Sequence, residues 1–382
     1  MAQEEVISFV NNKVSALEKF GLYYLNLFKK KDATHNVFEK TDGQLIKKVN
    51  RIGIKGMILS AIVGIICVYP TVWVDVFFAE KSFVVHYGWV AAVTIVSIVI
   101  EIYLLFLIAL KAVYEVSELI NLNATEKELE AEGLFSVKHI LARTALELPD
   151  PELKILGIDP FKRISKKNLL VLSLLYKAKI FVTNVVLKYF LLFAVGKTIF
   201  GVSILYEALA VECFWNCVVI HRVVAEARLR LFGFALANQI GKNIIADKVI
   251  EDLSPLAKTG CMRAIGNAVV LAQNYHPNMI ILLLQFQQIL KISSTDKLDD
   301  WNLFLETIDQ VSEKERNFLL DLFTVSAAFD GKLSDLEMEN LHAAYGKDFE
   351  LYYPRLLLLT KNLKQGKLNA ALTECKLDFV AG

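Results

Sequence analysis

Residues 56–78 read GMILSAIVGIICVYPTVWVDVFF, and residues 88–110 read GWVAAVTIVSIVIEIYLLFLIAL. At 1.5 Å per residue, each 23-residue run is long enough as a helix to cross a hydrocarbon core of about 30 Å. Asp75 is the only charged residue of the first run and Glu101 the only one of the second. A chain in lipid must satisfy its backbone hydrogen bonds within the segment, so these runs predict two antiparallel membrane helices joined by a short connector at 79–87. Pro70 is expected to kink the first helix or mark its outer end. Lys29, Lys30, Lys31, Lys40, Lys47, Lys48, Arg51 and Lys55 precede the first run, whereas the connector has only Lys81. This asymmetry puts the N-terminal side in the cytoplasm.

Working outward, a second basic cluster (Lys162, Arg163, Lys166, Lys167) precedes a second apolar stretch that ends near His221 and Arg222. The stretch predicts two further crossings joined at 195–198. Lys177, Lys179 and Lys188 interrupt the third crossing, which leaves a re-entrant or interfacial hairpin as the alternative. The fold expected is all-α: a polytopic α-helical membrane protein with about four transmembrane helices and cytoplasmic helical regions, multi-pass in the cell inner membrane with both termini cytoplasmic. The expected divisions are a cytoplasmic amphipathic helix and basic segment at 1–53, a first hairpin at 54–110, a helical insert at 111–168, a second hairpin at 169–224 and a helical region at 225–382. Within that last region, 279–290 is too short to span and reads as a buried core helix.

The composition agrees, with 55% hydrophobic and 22% charged residues in 382. The 42 basic and 41 acidic residues nearly cancel, so no global field recruits nucleic acid. No secretory signal precedes the first run, and the five cysteines (Cys67, Cys213, Cys217, Cys261, Cys375) do not form a secreted disulfide framework.

Near the N-terminus, Ile7, Val10, Val14 and Leu17 follow the 3-4 spacing of a helical seam that continues through Tyr24 and Phe28. Its partner is the same helix of another subunit, another helix of this chain, or the bilayer surface. A homo-oligomer through this seam is the expectation carried forward.

Charge inside a membrane is costly and marks function by default. Glu101, Lys188, Glu207 and Glu212, with Asn184 on the polar stripe of the third helix, form the candidate buried-charge network. Hairpin counting pairs Lys188 with Glu207, and Glu101 with Glu212 at similar depth. Two glutamates facing one cavity would share a proton or bind a cation. The alternative is that each is capped by hydroxyls, amides or arginines from neighbouring helices. Cys213, Cys217 and His221 recur at four-residue intervals and are candidate metal ligands, against which stands the span of about 12 Å from first to last. Ser60, Gly64, Cys67 and Thr71 form a small-residue stripe suited to close helix packing.

The most specific local motif is AAFDGKLSDLE at 327–337. Asp330-Gly331 makes the turn, and Ser334 with Glu337 a capping box. As a calcium loop it lacks the first acidic ligands, because Ser326 and Ala328 stand there. The string resembles the helix-turn-helix signature of the tellurite-resistance TerB family, over 255–365 loosely and about a dozen residues well. That resemblance implies a small all-α cytoplasmic domain whose acidic turn, here Asp330 and Glu337, takes part in metal-linked stress responses and in association with membrane partners.

No phosphate-binding glycine loop, dinucleotide motif, nucleophile elbow or His-Glu-x-x-His pattern occurs. The expected function is therefore non-enzymatic and without cofactor: an inner-membrane scaffold or sensor in contact with lipid and with a cytoplasmic protein partner. The alternatives are a proton or cation channel or transporter using the buried Glu and Lys residues, and a lipid-handling protein.

Overall fold

The computed structural model describes residues 15–28, 37–120, 137–148, 158–160, 204–246, 249–292 and 297–377; at 137, 204–208 and 244–250 it describes the backbone alone. Among these residues the regular structure is entirely helical: α1 (Ala16–Leu27), α2 (Asp42–Phe77), α3 (Phe83–Leu119), α4 (Val137–Ala145), α5 (Ile204–Ala246), α6 (Val249–Asp252), α7 (Pro255–Ala272), α8 (Pro277–Leu290), α9 (Trp301–Gln310), α10 (Glu313–Ala328), α11 (Asp335–Tyr345), α12 (Phe349–Gln365) and α13 (Leu368–Glu374).

Among the described residues two helices, α2 and α3, are long and apolar enough to cross a membrane, where four were expected. Of the other two expected crossings, the third lies outside the described residues and the fourth falls on α5, whose first five side chains are not described. Only 28% of the most apolar window of α2 and 17% of that of α3 is buried. A core helix of a soluble protein buries most of such a window, whereas these two turn Ile58, Ile62, Ile66, Ile95, Val96 and Val99 outward.

The helices are longer than a bilayer is thick. With 36 and 37 residues, α2 and α3 measure about 55 Å each. Both therefore run through the boundaries expected at 54 and 110. A Thr41–Gln44 capping box starts α2. Pro70 does not end it, and the helix continues to Phe77. At the tip of the hairpin, His86 Nε2 lies 2.8 Å from Asp75 Oδ1, Trp73 stacks on Phe77, and Phe78 stacks on Trp89. At the other end Lys55 Nζ lies 3.2 Å from Glu115 Oε1. Lys55 and Trp73 are about 27 Å apart along the helix, which is the separation of basic and aromatic bands that flank a hydrocarbon core.

The 43-residue α5 also crosses its expected boundary, at 224, without a break. It runs antiparallel to α2, with Val224 beside Gly53, Ile220 beside Gly56 and Glu212 beside Gly64. The small-residue stripe is the reason the helices come so close. Ser60, Gly64 and Cys67 are buried, and a Cβ on Gly56 would come within 2.9 Å of Ile220.

Beyond Ala225, α5 becomes one wall of a soluble-type helical core. There it packs on α8, while α7 packs on α8, α9 and α10, and α10 on α12. Met279, Ile280, Leu282 and Leu283 of α8 are fully buried, as expected of a core helix.

The N-terminal helix α1 packs on α4 and α3. Its buried residues are Glu18, Gly21 and Leu25, while Leu17 is 46% exposed. The contact face is thus rotated by roughly 60° from the expected seam, because Gly21, which breaks the apolar spacing, lets Ala142 approach to within 3.0 Å of where its Cβ would lie. Ile7, Val10 and Val14 lie outside the described residues.

Candidate functional site

Three polar clusters lie between the helices: one inside the bundle, one in the core that α5 enters, and one where α13 meets the start of α2. The first is inside the bundle. Asn216 on α5 points its side-chain amide toward α2 and α3, where Nδ2 lies 2.7 Å from Glu101 Oε1 and 3.3 Å from the Ser60 carbonyl. Glu101, Asn216 and Glu212 are all buried. Gly64 makes room for the amide, since a Cβ there would lie 2.8 Å from Asn216 Nδ2 and 3.4 Å from Glu212 Cβ. Glu101 thus meets Asn216, and Glu212 lies one turn further along α5 beside Gly64. The hydrogen bond to Glu101 comes from an amide. Lys188 and Asn184 lie outside the described residues, and so does the side chain of Glu207.

The cysteine-histidine spacing does not make a shared site. Cys213 and Cys217 turn their thiols to the carbonyls of Ala61 and Met57 on α2, and His221 is exposed. No group of three or more His, Cys, Asp or Glu side chains suited to a metal occurs among the described residues.

The second cluster joins α5 to the Asp-Gly turn. Asn278, at the start of α8, is fully buried and donates from Nδ2 to the Leu229 carbonyl (3.1 Å) and to the Phe329 carbonyl (3.0 Å). One amide thereby fixes α5, α8 and the turn 329–334 together. Gly331 takes φ +71°, the left-handed conformation that favours glycine. Asp330 accepts from the Lys332 N–H at 2.8 Å and from Asn274 Nδ2 at 3.0 Å. Burial holds its carboxyl above the usual range, partly offset by these two donors.

Glu337 caps α11 through the predicted box, with Ser334 N donating to Oε2 at 2.7 Å and Glu337 N to Ser334 Oγ at 3.1 Å. Its Oε1 is buried with no hydrogen-bond partner. Burial, and then the neighbouring Asp330 charge, push its pKa up to about 8, so the carboxyl is neutral at pH 7. Beside the turn, Arg230 Nε lies 2.7 Å from Glu226 Oε1, and His276 Nε2 is 3.9 Å from the same oxygen. That second contact is too long for a hydrogen bond. Burial, then the Arg230 charge, lower His276 to about 3 against the opposing pull of Glu226, so the imidazole is neutral.

The third cluster is a clasp at the base of the bundle. Asp42, in the first turn of α2, accepts from the N–H groups of Asn369 (2.8 Å) and Ala370 (3.1 Å) at the start of α13, and Asn369 Nδ2 donates to the Lys40 carbonyl at 2.6 Å. A carboxylate there meets unsatisfied amides and the positive end of the helix. Separately, Glu18 Oε1 lies 2.7 Å from His139 Nδ1 and 2.8 Å from Arg143 Nη2, which locks α1 to α4.

Of these residues, Asn216 was open to sequence reading as the one amide in an apolar run, four residues after Glu212. Asn278 and Asp42 are polar residues beside helix starts, with nothing local to mark their long-range partners. No family model, curated protein or solved structure matches this chain.

Proposed function

We propose that the chain is a non-enzymatic, multi-pass inner-membrane protein that acts as a scaffold or sensor, with a TerB-like cytoplasmic domain whose position is set by the state of its membrane bundle. The observation that supports this most is α5. One 43-residue helix carries Asn216 against Glu101 in the bundle and, further along, the Leu229 carbonyl that Asn278 holds. The Asp42 clasp adds a second connection between the same two parts. Such a double attachment suits the transmission of a change rather than tethering alone. In this reading α2, α3, the segment 169–203 and the first half of α5 are the four crossings, both termini are cytoplasmic, and the protein binds a cytoplasmic partner as a homo-oligomer. The exposed Leu17 remains available to such an oligomer.

The test is hydrogen exchange on the full-length protein in nanodiscs. Asn216→Ala, a change in the bundle, is expected to raise amide exchange in the turn 329–334. Unchanged exchange there, with the bundle itself perturbed, rejects coupling.

Proton or cation transport is the second reading, favoured by the burial of Glu101 and Glu212. Glu101→Gln and Glu212→Gln in proteoliposomes are expected to alter ion flux under that reading and to leave it unchanged under the first.

A further inference from the structure

The face of α2 opposite α5 has no described partner. Lys47, Asn50, Arg51, Ile54 and Ile58 are exposed and fall within a sector of about 100°, an open face with Leu59 beyond its edge. The stripe changes character along its length. Its first part is cationic, and from Ile54 onward it is aliphatic and continues through Ile62. Lys55 beside it is committed to Glu115 at 3.2 Å. Lys47 and Arg51 have no ion-pair partner among the described residues, and Asn50 adds a neutral donor between them.

Depth decides what such a stripe fits. Arg51 and Lys47 lie about 6 and 12 Å beyond Lys55, away from the apolar part. If the hydrocarbon begins near Lys55, Arg51 is at the level of the phosphates, whose region is roughly 5–8 Å thick on each side. A lysine stem bridges the remaining distance for Lys47. A soluble anion would meet only the cationic part, whereas a lipid meets both. The other candidate occupant, the segment 161–203 of this chain, opens with Lys162, Arg163, Lys166 and Lys167, which repel the same face.

From this we infer that the outward face of α2 holds one anionic phospholipid of the cytoplasmic leaflet, its phosphate on Lys47 and Arg51 with Asn50, and an acyl chain along Ile54 and Ile58. This site rests on the membrane reading above, and it deepens that reading by naming a lipid class the protein selects.

Flotation on phosphatidylcholine vesicles after an alkaline wash comes first. A chain that does not float overturns the membrane reading itself and this site with it. For protein that inserts, bound lipid is counted by native mass spectrometry after extraction from vesicles of phosphatidylcholine with one part in five phosphatidylglycerol. The wild type is expected to retain phosphatidylglycerol well above its bulk share. Lys47→Gln with Arg51→Gln should reduce that preference about 25-fold, at about five-fold per charge. Lys347→Gln with Lys361→Gln, an equal charge change on exposed cytoplasmic positions, should leave it intact, and so should millimolar inorganic phosphate. Equal retention by the Lys47/Arg51 variant, an equal loss in the control, or displacement by phosphate overturns the site. So does a cysteine at Ile58 that cross-links to 161–203 or to a second copy with no phosphatidylglycerol retained.

Discussion

Asn278 and Gly233 are a single fit of side chain to backbone. A Cβ on Gly233 would lie 2.0 Å from Asn278 Nδ2, and the amide cannot withdraw without giving up its bonds to the Leu229 and Phe329 carbonyls. Gly233→Ala is therefore expected to destabilise the protein by about 1–3 kcal/mol, despite alanine's better helix propensity, and thermal melting in detergent measures it. Glu337 and His276 give opposite pH dependences. Between 4.5, the ordinary carboxyl value, and about 8, the folded chain retains on Glu337 a proton that the unfolded chain releases, so stability falls as pH rises through that window. From 6.5 down to about 3 the unfolded chain takes up a proton that buried His276 refuses, so stability falls as pH falls. The two slopes oppose each other between 4.5 and 6.5, giving a plateau there. Glu337→Gln keeps the capping acceptor and removes the alkaline slope. Denaturant unfolding should find it more stable than wild type at pH 9, by up to about 5 kcal/mol for the full shift, and within about 1 kcal/mol of wild type at pH 5.

At the scale of elements, α13 is a short helix held by Asp42, 327 residues away in sequence. Asp42→Ala removes two charge-assisted hydrogen bonds and leaves the Thr41 cap of α2 in place. A loss of about 1 kcal/mol is expected, seen as faster exchange and proteolysis confined to 366–377; unchanged protection there would mean that the clasp contributes nothing. Such contacts explain which parts of the architecture are legible in the sequence. The runs 56–78 and 88–110, the small-residue stripe and the Ser334–Glu337 box are local patterns, and each appears where the pattern puts it. The continuity of α5 is not legible, because the change from apolar to charged sequence at 225 looks like a boundary although no proline interrupts the helix. The face that α1 turns to the rest of the chain is not legible for a related reason. Spacing records which side chains are apolar, whereas the contact of α1 is decided by Gly21 and by the ion pairs of Glu18.

For the whole molecule, two features bind the bundle to the C-terminal core: the length of α5 and the return of α13 to the base of α2. Cutting one should leave the other, so the relative position of the two parts is expected to survive Asp42→Ala and to be lost only when α5 is also interrupted. Distance measurements between spin labels at Ser82 and Glu350 distinguish these cases; a broad distribution in Asp42→Ala alone would show that α5 does not hold the geometry.

The unbroken α5 also sets an angular relation. Each residue of a helix advances the direction of its side chains by about 100°. Asn216 must face Glu101 while, further along, Leu229 must face Asn278, and thirteen residues of one helix fix the angle between those two directions. One alanine inserted after Ala225 would turn the C-terminal core about 100° out of phase with the bundle and break one set of contacts. Seven would return it to within about 20°, at a distance about 10 Å greater. Function that returns with seven but not with one or four would mean that orientation, more than distance, is what this helix conveys.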